Sequence, residues 1–227
     1  MTLARLPQIE QLHLADVTLP ESHPRADEPC PVFAFLIRHP DGFVLVDTGV
    51  GEGHEGIESL YSPKIHPLAA ELEARNASPA DIIAIINTHL HFDHCGENRQ
   101  FPSTPIYVQR AEHEAAQAPL YSIPEWIDFE GADYQLLNGE SEVAPGVATI
   151  PTPGHTPGHQ SVVIDSEEGR AIIAGHAAYD ADEWSGAAAS IAGEWDDAQY
   201  KASLESLRRL RPDRVYFSHD PLVWECS

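Results

Sequence analysis

Thr88-His89-Leu90-His91-Phe92-Asp93-His94 packs four potential metal ligands into six residues. It follows Asp81-Ile82-Ile83-Ala84-Ile85-Ile86-Asn87, an apolar β-branched run that reads as a buried strand. Side chains alternate along an extended segment, so His89, His91 and Asp93 can share one direction at the strand's end. A turn at Asp93 would aim His94 at a second position close to the first. The spacing therefore suits two adjacent cations, with His89 and His91 on one and Asp93 and His94 on the other. Imidazole nitrogen and carboxylate oxygen are the donors that zinc and iron accept.

Two further runs bring histidine to a strand-to-loop junction. Pro151-Thr152-Pro153-Gly154-His155-Thr156-Pro157-Gly158-His159 follows the strand Val147–Ile150 and offers His155 to the first cation. Arg214-Val215-Tyr216-Phe217-Ser218-His219-Asp220 is a short strand with His219 at its tip. Loops mounted on a rigid scaffold are the usual home of such sites. His159, Asp47 and Asp220 fit hydrogen-bonding partners of ligands or loop caps rather than ligands. His13, His23, His39, His54, His66 and His113 have no unifying spacing and read as surface residues.

The elements that must position these groups are mostly short strands. Strands are expected at Val32–Ile37, Phe43–Asp47, Ile82–Asn87, Ile106–Gln109, Tyr134–Leu137, Val147–Ile150, Ser161–Asp165, Arg170–Ala174 and Val215–Ser218. Pro40-Asp41-Gly42 and Glu167-Glu168-Gly169 read as hairpin turns. Helices are expected at Pro67–Asn76, Ala111–Ala118 and Asp196–Leu210. The last carries Asp196 and Asp197 at its start and Arg208 and Arg209 at its end, matching the helix dipole, and Pro212 stops it. Leu120–Phe129 reads either as a lid over an apolar substrate or as core packing. Trp184 and Trp195 flank a Gly/Ala-rich stretch, Ser185–Gly193, that reads as a mobile wall.

Composition narrows the function. The 227 residues, with no linker-like break, indicate one domain spanning 1–227. The net charge is -23, and the lysines are Lys64 and Lys201 alone. That field repels nucleic-acid phosphates and anionic membrane surfaces. No export signal or membrane span is legible, which makes the cytoplasm the expected location. Cys30, Cys95 and Cys226 are odd in number and scattered, against a disulfide framework, and Cys95 reads as a small buried filler.

The pattern His-x-His-x-Asp-His, then Pro-Gly-His, then a late strand-end His resembles the metallo-β-lactamase superfamily. Val46-Asp47-Thr48-Gly49 is similar to its early strand-end motif. Within it, Thr152–Ser161, Ala177-Ala178-Tyr179 and Phe217-Ser218-His219-Asp220 most resemble the N-acyl-homoserine lactonases that quench quorum sensing. The likeness runs from about Val32 to Asp220, and Met1–Pro31 matches least. It implies an α/β four-layer αβ/βα sandwich with the metals at one edge between two sheets. It also implies His89, His91 and His155 on metal one, and Asp93, His94 and His219 on metal two. Tyr179 resembles the lactonases' substrate-contacting tyrosine.

One position departs from that family. The lactonases carry a metal-bridging Asp three residues before the Tyr, where this chain has His176. A carboxylate can span two cations, whereas a neutral imidazole presents one lone pair and serves one. His176 therefore joins one metal or the other, and the second cation is expected to bind more weakly. Asp180 and Asp182 are near enough in sequence to compensate.

The expected chemistry is hydrolytic opening of an N-acyl-homoserine lactone or related small lactone by a metal-bound hydroxide. Asp93 would shuttle the proton and Tyr179 would contact the carbonyl oxygen. The expected cofactor is zinc, one or two ions, with iron or manganese as alternatives. The expected partner is a small lactone or ester, with no nucleic acid and no membrane; a homodimer is compatible with the sequence. A glyoxalase-II-like thioesterase or an amidase of the same superfamily is the alternative enzyme. A non-catalytic metal- or ligand-binding protein is the third reading.

Overall fold

Along Val32–Ile37 successive side chains alternate between two apolar environments, because extended backbone points them to opposite faces. Phe33, Phe35 and Ile37 pack with one core cluster, and Ala34 and Leu36 with another. A strand buried on both faces belongs in the middle of a layered fold. The computed structural model describes residues 8–21, 26, 29–166, 169–188 and 195–226.

Its strands fall into two sheets. The first contains β1 (Ile9–Thr18), β2 (Pro29–His39), β3 (Gly42–Val46), β4 (Lys64–Ile65), β5 (Ile82–Ile86), β6 (Pro105–Gln109) and β7 (Asp133–Leu137), in the order β4-β1-β2-β3-β5-β6-β7. The second contains β8 (Ser141–Ala144), β9 (Val147–Pro151), β10 (Gln160–Ser166), β11 (Gly169–Ile173), β12 (Arg214–Tyr216) and β13 (Trp224–Glu225), in the order β13-β12-β11-β10-β9-β8. The helices are α1 (Glu55–Tyr61), α2 (Leu68–Glu73), α3 (Phe92–Cys95), α4 (Arg110–Ala115), α5 (Pro124–Ile127), α6 (Ala181–Ser185) and α7 (Asp197–Arg209).

Apolar faces explain the layering. Phe35, Val44, Val46 and Ile86 of the first sheet meet Val147, Val162, Ile164 and Ile173 of the second. Leu68 and Leu72 of α2 cover the outer face of the first sheet, and Leu204 and Leu207 of α7 the outer face of the second. The result is helix, sheet, sheet, helix: the four-layer sandwich. Asp196 caps α7, its Oδ1 accepting from the Ala198 and Gln199 N–H groups at 2.9 and 3.0 Å.

Several boundaries differ from the sequence expectation. β1 was not expected, and its burial shows why. Leu12 and Leu14 pack on the helix side, but the register shifts between His13 and Ala15. Beyond the bulge Ala15 and Val17 join a different cluster, so no single period-two pattern runs through the strand. α4 is shorter than Ala111–Ala118, with Ala116 as its C-cap. The Pro40-Asp41-Gly42 turn joins β2 to β3, with His39 opposite Gly42. In the second expected turn, 167 and 168 lie outside the described residues, while Ser166 pairs with Gly169. Among the described residues no helix is long and apolar enough to cross a membrane.

Candidate metal centre

The expected ligands gather where the two sheets are joined at one edge. β3, β5 and β6 run parallel, so their C-terminal ends lie side by side. The chain leaves β5 through Asn87–His91 and turns into α3, which carries Asp93 and His94. His155 and His159 lie between β9 and β10, His176 in the turn after β11, and His219 just past β12. Backbone bonds hold the sheets together here: Gln160 N–H donates to Thr88 O at 2.8 Å, and Phe33 N–H to Ser218 O at 2.9 Å.

The donors separate into two sets, each with its ligand atoms within 4.8 Å of one another. One set is His89, His91 and His155; the other is Asp93, His94, His176 and His219. His91 Nδ1 lies 3.1 Å from both His89 Nε2 and His155 Nε2. His176 Nε2 lies 3.2 Å from His94 Nε2 and 2.6 Å from His219 Nε2. Asp93 Oδ2 is 3.5 Å from His94 Nε2 and 3.6 Å from His219 Nε2.

The separations of 3.1–3.6 Å fit a cation, whereas the 2.6 Å between His176 and His219 must open for both to hold one ion. Atoms bound tetrahedrally at about 2.0–2.1 Å lie about 3.3 Å apart. Tautomers point the same way. His94 Nδ1–H donates to Asp47 Oδ2 at 2.8 Å, and His219 Nδ1–H to Pro31 O at 2.7 Å. Each ring thus turns its Nε2 towards His176, and nitrogens facing one another suit a shared positive ion between them.

Electrostatics keep most of the rings neutral, the form that ligates. Burial, reinforced by neighbouring imidazoles, holds His91 and His155 down to about 3. The same causes push His89, His159 and His176 well below the usual histidine value. Burial raises Asp93, but His94, His219 and His91 outweigh it and hold the carboxyl below its ordinary value. His219 runs the other way: burial disfavours its charge, yet Cys30, Asp93 and the Pro31 carbonyl raise it to about 9. Its extra proton must leave before Nε2 can serve a cation.

A ring of buried polar groups aims these donors. Asp47 Oδ1 accepts from Thr88 N–H, and Oδ2 from Thr88 Oγ1–H, both at 2.8 Å. It does so from a left-handed backbone, φ 60°, a conformation that costs energy outside glycine. His159 Nε2 accepts the His176 N–H at 2.9 Å, which places His159 behind a donor set rather than in one. Gln160 Nε2–H₂ donates to Asn87 O and Tyr107 O at 2.8 and 3.1 Å, tying β10 to the first sheet. Ser161 Oγ–H donates to Ala174 O at 2.8 Å. The His-Gln-Ser run therefore braces the edge between the sheets.

Glu112 escaped the sequence reading. It is fully buried on α4 and accepts from Leu90 N–H at 2.9 Å, Thr156 Oγ1–H at 2.6 Å, Gly158 N–H at 3.2 Å and Tyr121 O–H at 2.5 Å. Leu90 lies between His89 and His91, and Thr156 follows His155, so one carboxylate anchors both halves of the three-histidine set. Burial raises its pKa against the lowering effect of those donors. A Cβ on Gly158 would come within 2.1 Å of the Glu112 nitrogen, so only glycine permits this approach. A single acid in a helix's first turn carries no spacing signal that could have revealed the role.

The family model of the metallo-beta-lactamase superfamily matches residues 27–219. The chain belongs to that superfamily. An N-acyl homoserine lactonase from Bacillus sp is 36% identical over 205 residues, covering 84% of this chain and 81% of its own length. A crystal structure of a B. thuringiensis AiiA variant with N-decanoyl-L-homoserine at the active site superposes with TM-score 0.82 at 29% identity, covering 95% of this chain and 94% of its own. An N-acyl homoserine lactone hydrolase with its product N-hexanoyl-L-homoserine at the catalytic metal center matches with the same TM-score, identity and coverage. The expected fold class and superfamily hold, and these superfamily relatives are hydrolases.

Other residues of this superfamily member find plainer roles. Asp220 takes no position among the donors; its carboxylate accepts from Ala181 N–H at 3.0 Å and Leu222 N–H at 2.9 Å. Asp180 caps α6 through Glu183 N–H at 2.8 Å, and Asp182 is exposed, so neither joins a donor set. Cys95 is fully buried, and burial pushes its thiol up to about 12, as suits a packing residue. Ile123, Trp126 and Ile127 are buried in core clusters, so the 120–129 segment is largely packed wall, with Leu120 exposed. Trp184 is buried against Trp224 and Trp195 is exposed; 189–194 lie outside the described residues, as does His23. Two histidines read as unrelated do meet: His13 Nε2 lies 3.0 Å and His66 Nε2 3.7 Å from the Asp16 carboxylate on the surface.

Proposed function

We propose that this protein is a metal-dependent lactonase acting on N-acyl-homoserine lactones or closely related small lactones, with zinc as the cofactor. The observation that carries the reading is the convergence of two donor sets, the second of them packed against Tyr179, in a chain similar to lactonases that hold homoserine products. Tyr179 is 8% exposed and stacks on His219, ring centroids 5.0 Å apart, with its ring edge-on to His176 at 5.1 Å. Its backbone N–H donates to Glu183 Oε2 at 2.6 Å, and Tyr200 O–H donates to the same oxygen at 2.8 Å. That buried carboxylate positions the tyrosine's loop.

When bound, the cations polarise a carbonyl oxygen and ease the ionisation of water. The chain's residues supply the rest. Water adds to the carbonyl carbon, the acyl–oxygen bond of the ring breaks, and the departing alkoxide takes a proton. Asp93, in the second set, accepts the proton lost by water and returns it to that alkoxide. The Tyr179 hydroxyl donates to the carbonyl oxygen as negative charge develops there. Next to Tyr179 lies an apolar cluster with Val17, Ile57, Ile123 and Trp126, flanked by Tyr61 and Phe92 packed at 4.4 Å. The partly exposed rings of Tyr61 and Phe92, backed by that buried cluster, suit an acyl chain better than a charged thiol conjugate.

Ring opening by zinc-loaded protein, followed by acid release across a panel of acyl-homoserine lactones, thioesters and a β-lactam, tests this. Lactone turnover abolished by chelation and restored by zinc is the expected outcome. A zinc-loaded protein that opens no lactone overturns the proposal.

A further inference from the structure

We infer that the two donor sets are built for different tasks: Asp93, His94, His176 and His219 form a closed four-ligand site, whereas His89, His91 and His155 form an open one. The inference rests on the metal-dependent reading above and assigns the place where an additional ligand enters.

Ligand count carries the argument. Zinc sites with four protein ligands are closed, and catalytic ones keep three and leave a position free. His176 supplies the fourth donor. Its Nε2 stands between the Nε2 atoms of His94 and His219, at 3.2 and 2.6 Å, while its Nδ1 has no hydrogen-bond partner. The ring is held there from behind: His159 fixes the His176 N–H, and Gly175 adopts φ 60° where a Cβ would lie 2.6 Å from His159 Nε2. One imidazole nitrogen serves one cation, so this residue completes the second set without bridging to the first.

Exposure and charge agree. His94, His176 and His219 of the closed set are buried and Asp93 is 9% exposed, whereas in the open set His91 and His155 are partly exposed in front of a fully buried His89. The carboxylate of Asp93 offsets one charge of a divalent ion in the closed set, while three neutral imidazoles offset none. The open set therefore holds the stronger electrophile, on the side reached from solvent.

Cobalt(II) and azide test this directly. Metal-free protein is titrated with Co²⁺, ions per chain are counted by elemental analysis, and visible spectra are recorded with and without azide. Two ions per chain are expected, with azide shifting the bands of one centre and leaving the other unchanged. His89→Ala should abolish the azide-sensitive bands. His176→Ala should weaken the second ion at least about 10-fold, or make its bands azide-sensitive. Azide perturbation of both centres in the unmodified protein overturns the assignment, and that arm requires no variant to fold. So does a His176→Ala protein, folded by circular dichroism, with unchanged stoichiometry and unchanged azide response. Lactone turnover is scored separately: an azide response at one centre without turnover supports the ligand assignment and overturns only the lactonase reading.

Discussion

Asp47 Oδ2 accepts the Nδ1–H of His94 at 2.8 Å in a fully buried pair, while Oδ1 holds the Thr88 N–H at the same distance. One carboxylate thus sets both the tautomer of a donor and the exit of β5 that delivers the others. Asp47→Asn keeps the shape but cannot accept from all three groups. Loss of such a partner typically weakens metal affinity about 10- to 100-fold. Chelator competition reads this as a raised dissociation constant; unchanged affinity would show that His94 is oriented by packing alone.

Glu112→Ala removes the acceptor shared by Leu90 N–H, Gly158 N–H, Thr156 and Tyr121. Buried donors left unpaired cost about 1–3 kcal/mol each, so a loss of at least about 3 kcal/mol is expected. Urea denaturation measures it. A change within about 0.5 kcal/mol, the range of an ordinary surface substitution, would refute the anchoring role.

Tyr179→Phe removes a hydroxyl and leaves the ring stacked on His219. Loss of one donor to a developing oxyanion costs about 100-fold or more in kcat. Lactone kinetics should show this drop with metal content unaltered. An equal fall in metal content would mean that the hydroxyl supports the site instead.

Metal-free protein should lose stability as the solution is acidified. Unfolded His91 and His155 take up protons below their ordinary value of 6.5, whereas the folded rings resist until about 3. The unfolded state therefore binds more protons across that window, and stability falls as pH drops through it. His219, raised to about 9, contributes oppositely: its stabilisation is complete below 6.5 and is lost as pH rises through 9. Thermal melts of chelated protein from pH 8 to pH 4 check the first effect. A flat profile over pH 6.5 to 4 would contradict it.

Legibility followed distance along the chain. The strands around β2, β3, β5 and β10 were readable because their apolar runs are short and bounded by turn residues. α7 was readable from its charges and from the proline beyond it, and Asp196 is its N-cap. β1 was not, because its bulge transfers burial from one face to the other in mid-strand. The helices α1, α5 and α6 are four to seven residues long, too short for a periodic pattern.

The chain's own geometry made the cluster from His89 to His94 interpretable without a fold. Within six residues, alternation and one turn leave few ways to direct four donors, so imidazole and carboxylate in that pattern already imply two adjacent cation positions. His176 stands far from that cluster in sequence, and its allegiance depended on how β11 and β12 meet β5 across the sheet edge. Spacing could not choose between the sets, because ring direction is decided by Gly175, His159 and the packing around them. Glu112 was hidden for the same reason. A carboxylate that binds Leu90 on one side and Thr156 on the other has meaning only after three distant segments are brought together, where burial makes each of its bonds count.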